Sequence, residues 1–187
     1  MSGAAYPARP GRGATEARLA EILRVDQAGE LGAVHIYRGQ LAVFGGARDR
    51  GAISGQLAEM EAHEAAHLQA FDRLLTQRKV RPTLLAPVWR MAGFALGAGT
   101  ALMGEKAAHA CTEAVETVIE EHYAGQIAEL ERREPALAAE LSRYRDEELA
   151  HRDTAVEHGA HEAPGYGLLS AAIRTGCRLA IRLAEKV

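Results

Sequence analysis

Aromatic residues are scarce in this chain of 187 residues: three Phe, five Tyr and one Trp, 5% in all. Strands favour aromatic and β-branched side chains, so the scarcity, beside abundant Ala and Leu, argues against a sheet and for helices. Only two cysteines occur, Cys111 and Cys177, far apart and in no Cys-x-x-Cys pair. That excludes a zinc ribbon and a disulfide scaffold, and leaves both as small buried apolar residues of a reducing compartment. No Gly-x-Gly-x-x-Gly follows a strand-like run, which excludes a Rossmann dinucleotide site. A net charge of −3 excludes nucleic acid as the main partner. No signal peptide is visible, and residues 1–15, rich in Gly, Pro and Ala, are expected to form a disordered tail.

What is present is helical periodicity. With 48% apolar and 25% charged residues the chain can bury a core, and residues 16–187 are expected to form one all-α domain of six helices. The first helix is expected from an N-cap at Thr15 to about Phe44, where Gly45 and Gly46 stop it. The second spans about Ser54 to Gln77 and ends before Arg81-Pro82. The third, Thr83 to Met103, is almost wholly apolar, with Arg90 its only charge. The fourth runs to about Arg133, Pro135 opens the fifth, and Pro164-Gly165 separates it from the sixth, Tyr166 to Val187.

The apolar stripes of these helices are interrupted by acids and imidazoles. On the first helix Glu30 falls among Leu23, Ala33, Val34 and Tyr37. On the second, Glu64 and His67 stand between Met60 and Phe71. On the fourth Glu116 adjoins Val115 and Ile119, and on the fifth Glu148 and His151 follow Leu141 and Tyr144. Positions i and i+3 share a helix face, so each Glu-x-x-His presents a carboxylate and an imidazole together. The order repeats: a helix with an inward Glu, a helix with Glu-x-x-His, then a hydrophobic helix. The chain therefore reads as two halves, 16–104 and 105–187.

Four carboxylates and two neutral imidazoles balance two divalent cations, so a two-metal site of these six residues can sit in a core. Without cations the buried acids repel one another. Oxygen and nitrogen donors without sulfur suit iron or manganese. Paired Glu and Glu-x-x-His motifs of this kind describe ferritin-like di-metal four-helix bundles. Glu30, Glu64, His67, Glu116, Glu148 and His151 are thus the candidate metal ligands and catalytic residues. Asp26, Tyr123 and Glu147 are candidates to receive a ligand histidine's outer N–H, with Glu147 expected rather to face solvent. His122 is placed to line the pocket; His35, His109, His158 and His161 read as surface or edge residues. His63 is spaced to pair with His67. The ligand set alone also fits another ferritin-like oxidase or peroxidase, or a non-catalytic iron-storage protein.

Longer strings narrow this. RVDQAGE (24–30), RPT (81–83), GFALGAGTAL (93–102), ACT (110–112) and RDEEL (145–149) resemble the demethoxyubiquinone hydroxylase family of coenzyme Q biosynthesis, over a stretch from about residue 20 to the C-terminus. The resemblance implies a ferritin-like fold with two extra hydrophobic helices and two irons on the six residues above. It also implies an O2-dependent hydroxylation of the ring of a demethoxy polyprenyl-benzoquinone, with NADH as electron donor. The short N-terminus suggests a bacterial member.

The substrate's polyprenyl tail places it in a bilayer. A helix of about 21 residues at 83–103 is long enough to span. Pro87, Arg90 and many small residues favour instead an interfacial placement of helices 83–104 and 166–187. There the basic row Arg174, Arg178, Arg182 and Lys186 meets anionic lipid and Trp89 lies at headgroup level. The expected location is peripheral, on the cytoplasmic face of a bacterial inner membrane. A homodimer or a complex with other proteins of the pathway is left open.

Overall fold

A computed structural model describes residues 14–45 and 51–187. Among them there are six α-helices and no strand: α1 (Ala14–Phe44), α2 (Gly51–Gln77), α3 (Ala86–Leu102), α4 (Glu105–Leu130), α5 (Pro135–Glu157) and α6 (Tyr166–Lys186), with a 3₁₀ turn at Ala160–Glu162. The all-α expectation holds. Residues 1–13 of the expected tail, and Gly46 of the expected stop, lie outside the described residues. Thr15 is inside α1 and does not cap it. α3 starts three residues later than the periodicity suggests, because Thr83 Oγ1 accepts the N–H of Leu85 and holds a turn there, leaving Pro87 in the first helical turn.

Pairing follows from which residues meet. Gln27 bonds Asp72 and Arg38 bonds Glu61, so α1 and α2 run antiparallel. Tyr37 meets Glu116, Glu30 meets Tyr123 and Asp26 meets Gln126, so α1 and α4 are antiparallel too. His67 meets Glu147 and Phe71 meets Tyr144, giving the same sense to α2 and α5. Two apolar clusters bracket the middle of these four helices. One holds Ile22, Leu23, Phe71, Tyr123, Leu141 and Tyr144. The other holds Tyr37, Phe44, Ile53, Leu57 and Met60. Glu30, Glu64 and His67 fall between them in the sequences of α1 and α2, which sets the polar residues at mid-height.

α3 and α6 form an outer layer. α3 runs parallel to α1: a Cβ on Gly93 would overlap the Gly32 carbonyl oxygen, and one on Gly97 the Ile36 carbonyl oxygen. Only glycine permits that approach of two backbones. α6 lies along α4, where Arg174 pairs with Glu113 at 2.5 Å and Tyr166 donates to the same carboxylate. α3 and α6 border the same apolar clusters: Trp89 and Ala184 share one with Val25 and Ala28, and Leu96, Ile173 and Cys177 share another with Ile36 and Cys111. Their outer faces expose Val88, Met91, Phe94 and Leu102 on α3, and Leu168, Leu179 and Leu183 on α6.

Three observations bear on the membrane expectations. α3 has 17 residues, and no helix among the described residues is long and apolar enough to cross a membrane. Three of the four basic residues of α6 are turned toward acids of the protein: Arg174 to Glu113, Arg178 to Glu121, Lys186 to Glu21. Trp89 packs half-buried on Val25 and Ala28.

Candidate metal centre

The structure brings Glu30, Glu64, His67, Glu116, Glu148 and His151 into one buried cluster. Donor atoms of Glu30, Glu64, His67 and Glu148 lie within 4.8 Å of one another, as do those of Glu64, Glu116, Glu148 and His151. Glu64 and Glu148 belong to both groups and are fully buried. Each supplies one oxygen toward each side: His151 Nδ1 is 3.2 Å from Glu64 Oε1 and 3.3 Å from Glu148 Oε2, whereas His67 Nδ1 is 4.0 Å from Glu64 Oε2 and 3.3 Å from Glu148 Oε1. Glu30 Oε2 is 3.5 Å from His67 Nδ1. Two ligand atoms about 2.1 Å from one ion at right angles stand roughly 3 Å apart, so these spacings suit atoms that share an ion.

The donors also fit a metal by what they lack. Both oxygens of Glu64 and Glu148, one oxygen each of Glu30 and Glu116, and Nδ1 of His67 and His151 are buried without a hydrogen-bond partner. A buried polar atom left unpaired costs about 1–3 kcal/mol, and more when charged. Burial, then the neighbouring carboxylates, push Glu64 far above the usual range; burial likewise raises Glu116 and Glu148. Burial opposes a charge on His67, but the Glu148 and Glu30 carboxylates beside its Nδ1 raise it to about 11. Burial lowers His151. Protons thus take the place a cation would fill. With oxygen and nitrogen donors only, the set favours iron or manganese over a structural zinc.

The cluster is held from outside. Tyr37 donates to Glu116 Oε1 at 2.8 Å, and Tyr123 donates to Glu30 Oε1. Asp26 does not reach a histidine of the cluster; it accepts from Gln126 at 2.7 Å and stands 3.4 Å from His122. Glu147, expected to face solvent, is exposed yet sits 2.7 Å from His67 Nε2. His63 bonds His151 Nε2 at 3.0 Å and not His67. His109, expected near the surface, is 3% exposed and pushed down to about 4 by burial and then by His158. Tyr37 was missed by the sequence argument, although its signal was present: it follows Glu30 by seven residues, as Tyr123 follows Glu116.

The family model described as "Ubiquinone biosynthesis protein COQ7" matches residues 17–184. The chain belongs to the COQ7 family. Its relatives include the 3-demethoxyubiquinol 3-hydroxylase of Rhodospirillum rubrum, 52% identical over 95% of this chain and 82% of that protein. The human NADPH-dependent 3-demethoxyubiquinone 3-hydroxylase, mitochondrial, is 45% identical over 92% of this chain and 80% of its own length. The 5-demethoxyubiquinone hydroxylase, mitochondrial, of Saccharomyces cerevisiae is 42% identical over 93% and 80%. The names of the mammalian relatives carry NADPH where the family resemblance suggested NADH.

Proposed function

We propose that this COQ7-family chain hydroxylates the ring of a demethoxy polyprenyl-benzoquinone, or its quinol, with Glu30, Glu64, His67, Glu116, Glu148 and His151 holding two irons. The hydroxylase role in ubiquinone biosynthesis rests on family membership and on the named activity of relatives up to 52% identical. The observation that carries the metal reading is the pair of overlapping donor groups that share Glu64 and Glu148. Two ferrous ions held by that set would supply redox chemistry toward O2; the overall hydroxylation takes O2, two electrons and two protons, and gives the ring hydroxyl and water. The protein's part is placement. Glu64 and Glu148, which belong to both donor groups, would serve both ions; Glu30 with His67, and Glu116 with His151, would complete one side each. Tyr37 and Tyr123 fix the outer glutamates. The apolar clusters on both sides keep bulk water away. A reduced nicotinamide nucleotide would supply the two electrons that the hydroxylation consumes.

The arrangement supports a ferritin-like bundle of α1, α2, α4 and α5, built from two repeated halves at 16–104 and 105–187 with residues 16–187 as one domain. Each half contributes a long helix with its inner Glu, an antiparallel Glu-x-x-His helix, and an outer helix parallel to the first. The exposed apolar faces of α3 and α6 make the surface that rests on the membrane holding the substrate, the protein lying peripherally on the cytoplasmic face of a bacterial inner membrane.

The test supplies purified, iron-loaded protein with a demethoxyubiquinone, O2 and either NADH or NADPH. Hydroxylated quinone carrying one atom of ¹⁸O from ¹⁸O2 is expected. Glu148→Ala and His67→Ala should each lose both iron and turnover. Full iron content and product in either variant would contradict the ligand set.

A further inference from the structure

Both histidines of the cluster turn Nδ1 inward, and with a metal on Nδ1 each Nε2 would carry the ring's proton and point outward. The two outward partners come from equivalent places. Glu147 is the residue just before Glu148, and its carboxylate lies 2.7 Å from His67 Nε2. His63 is the residue just before Glu64, and its Nδ1 lies 3.0 Å from His151 Nε2. The contacts therefore cross: α5 backs the histidine of α2, and α2 backs the histidine of α5. The His63 and His151 planes are 12° apart with centroids 5.3 Å apart. A nitrogen contact of 3.0 Å at that centroid spacing means that the rings meet edge to edge in one plane, a good geometry for N–H donation from His151 to His63. One histidine is thus backed by a carboxylate and the other by an imidazole.

Resting on the di-metal reading above, we propose that Glu147 and His63 are positioning residues that make the two ion positions unequal. The Glu30–His67 side binds its ion first and more tightly, and the Glu116–His151 side binds second. A carboxylate accepting Nε2–H draws the proton outward and makes the inner Nδ1 a stronger donor, and it adds a negative charge beside the ion. An imidazole does the first weakly and brings no negative charge. Every direct ligand has a counterpart on the other side, since Glu30 matches Glu116, His67 matches His151, and the tyrosines match as well. The backing residue is where that symmetry breaks.

The experiment is Co(II) titration of metal-free protein, followed by visible absorption and by the hyperfine-shifted Nε2–H proton signals of the two histidines. Wild type should bind two equivalents with affinities at least about tenfold apart, in line with the effect of outer partners on metal sites. The first equivalent should bring out one shifted N–H signal and the second equivalent the other. Glu147→Gln should weaken the first step about tenfold and move only the first signal. His63→Glu should tighten the second step and move only the second signal, narrowing the gap. Both residues are exposed, so the fold should tolerate both changes. Two equivalents bound with one shared affinity, or equal shifts of both steps in either variant, would overturn the inequality while leaving the di-metal reading intact. No Co(II) uptake at all would sink both.

Discussion

Seven residues beyond each outer glutamate stands a tyrosine, and each tyrosine reaches across to the glutamate of the other long helix: Tyr37 to Glu116, Tyr123 to Glu30. Both hydroxyls are buried, and burial, followed by the carboxylates around them, keeps both well above the usual tyrosine range, so they stay donors. Tyr37→Phe and Tyr123→Phe should each leave a buried glutamate oxygen loose and cut metal affinity by about 10- to 100-fold, as loss of an outer partner does elsewhere. Competition with a chelator of known affinity measures this, and affinities within twofold of wild type would refute it. At this scale the sequence made the six cluster residues legible because polar groups on an apolar stripe have nowhere to go but the interior. Their neighbours were less legible. Asp26 shares a face with Glu30, yet it meets Gln126 and His122 of α4, because partner choice depends on the register between helices, which periodicity along one helix does not contain. Glu147 looked solvated for the same reason: it is exposed, and only the position of α2 turns it into a histidine's partner.

At the scale of the elements, helix existence was legible, and so were the ends at Phe44, Gln77, Pro135 and Tyr166, whereas the starts of α2 and α3 were not. The stripes of α1, α2, α4 and α5 persist over many turns, whereas the ends depend on single hydrogen bonds such as that from the N–H of Leu85 to Thr83. The apolar run at 83–103 has no single face, so its length alone suggested a span. The structure gives its small residues a different use: Gly93 and Gly97 let α3 press its backbone onto α1, the helix that carries Glu30. Gly97→Ala would drive a methyl group into the Ile36 carbonyl, with backbone on both sides and no flexible side chain to yield. Overpacking of this kind costs about 1–3 kcal/mol. Gly99→Ala, two residues on, meets nothing within 4 Å and removes a helical glycine, so it should stabilise by about 0.5–1 kcal/mol. Chemical denaturation of the pair gives the answer: equal midpoints would mean that the α1–α3 contact is not as close as described.

At the scale of the whole molecule, a buried polar centre and a greasy outer layer make opposite demands, and each can be tested. Met91 and Leu102 of α3 and Leu168 of α6 are 75%, 76% and 81% exposed. Replacing all three by Gln should lower partition onto anionic liposomes several-fold while metal uptake is unchanged, and unaltered flotation would move the membrane contact elsewhere. The centre makes the fold depend on pH. Glu64, Glu116 and Glu148 hold protons more tightly in the folded chain than the usual carboxylate at 4.5, and His67 more tightly than the usual 6.5. A group raised by folding stabilises fully below its unfolded value, and that stabilisation is lost as pH rises toward the folded value. His151 is lowered, so its effect is a loss as pH falls below 6.5 and it does not act above neutrality. Between pH 7 and 8.5 the metal-free protein should therefore lose stability. One retained proton over that interval corresponds to about 2 kcal/mol, or about 4–8 °C in a chain of this size. Two divalent ions bind the deprotonated carboxylates and reverse the sign, since raising the pH removes the protons that compete with them. Thermal scans at both pH values, with chelator and with Mn(II), should show melting temperatures that fall with pH in the first case and hold or rise in the second. A metal-free protein that grows more stable from pH 7 to 8.5 would mean that the interior acids are already ionised without a cation to balance them.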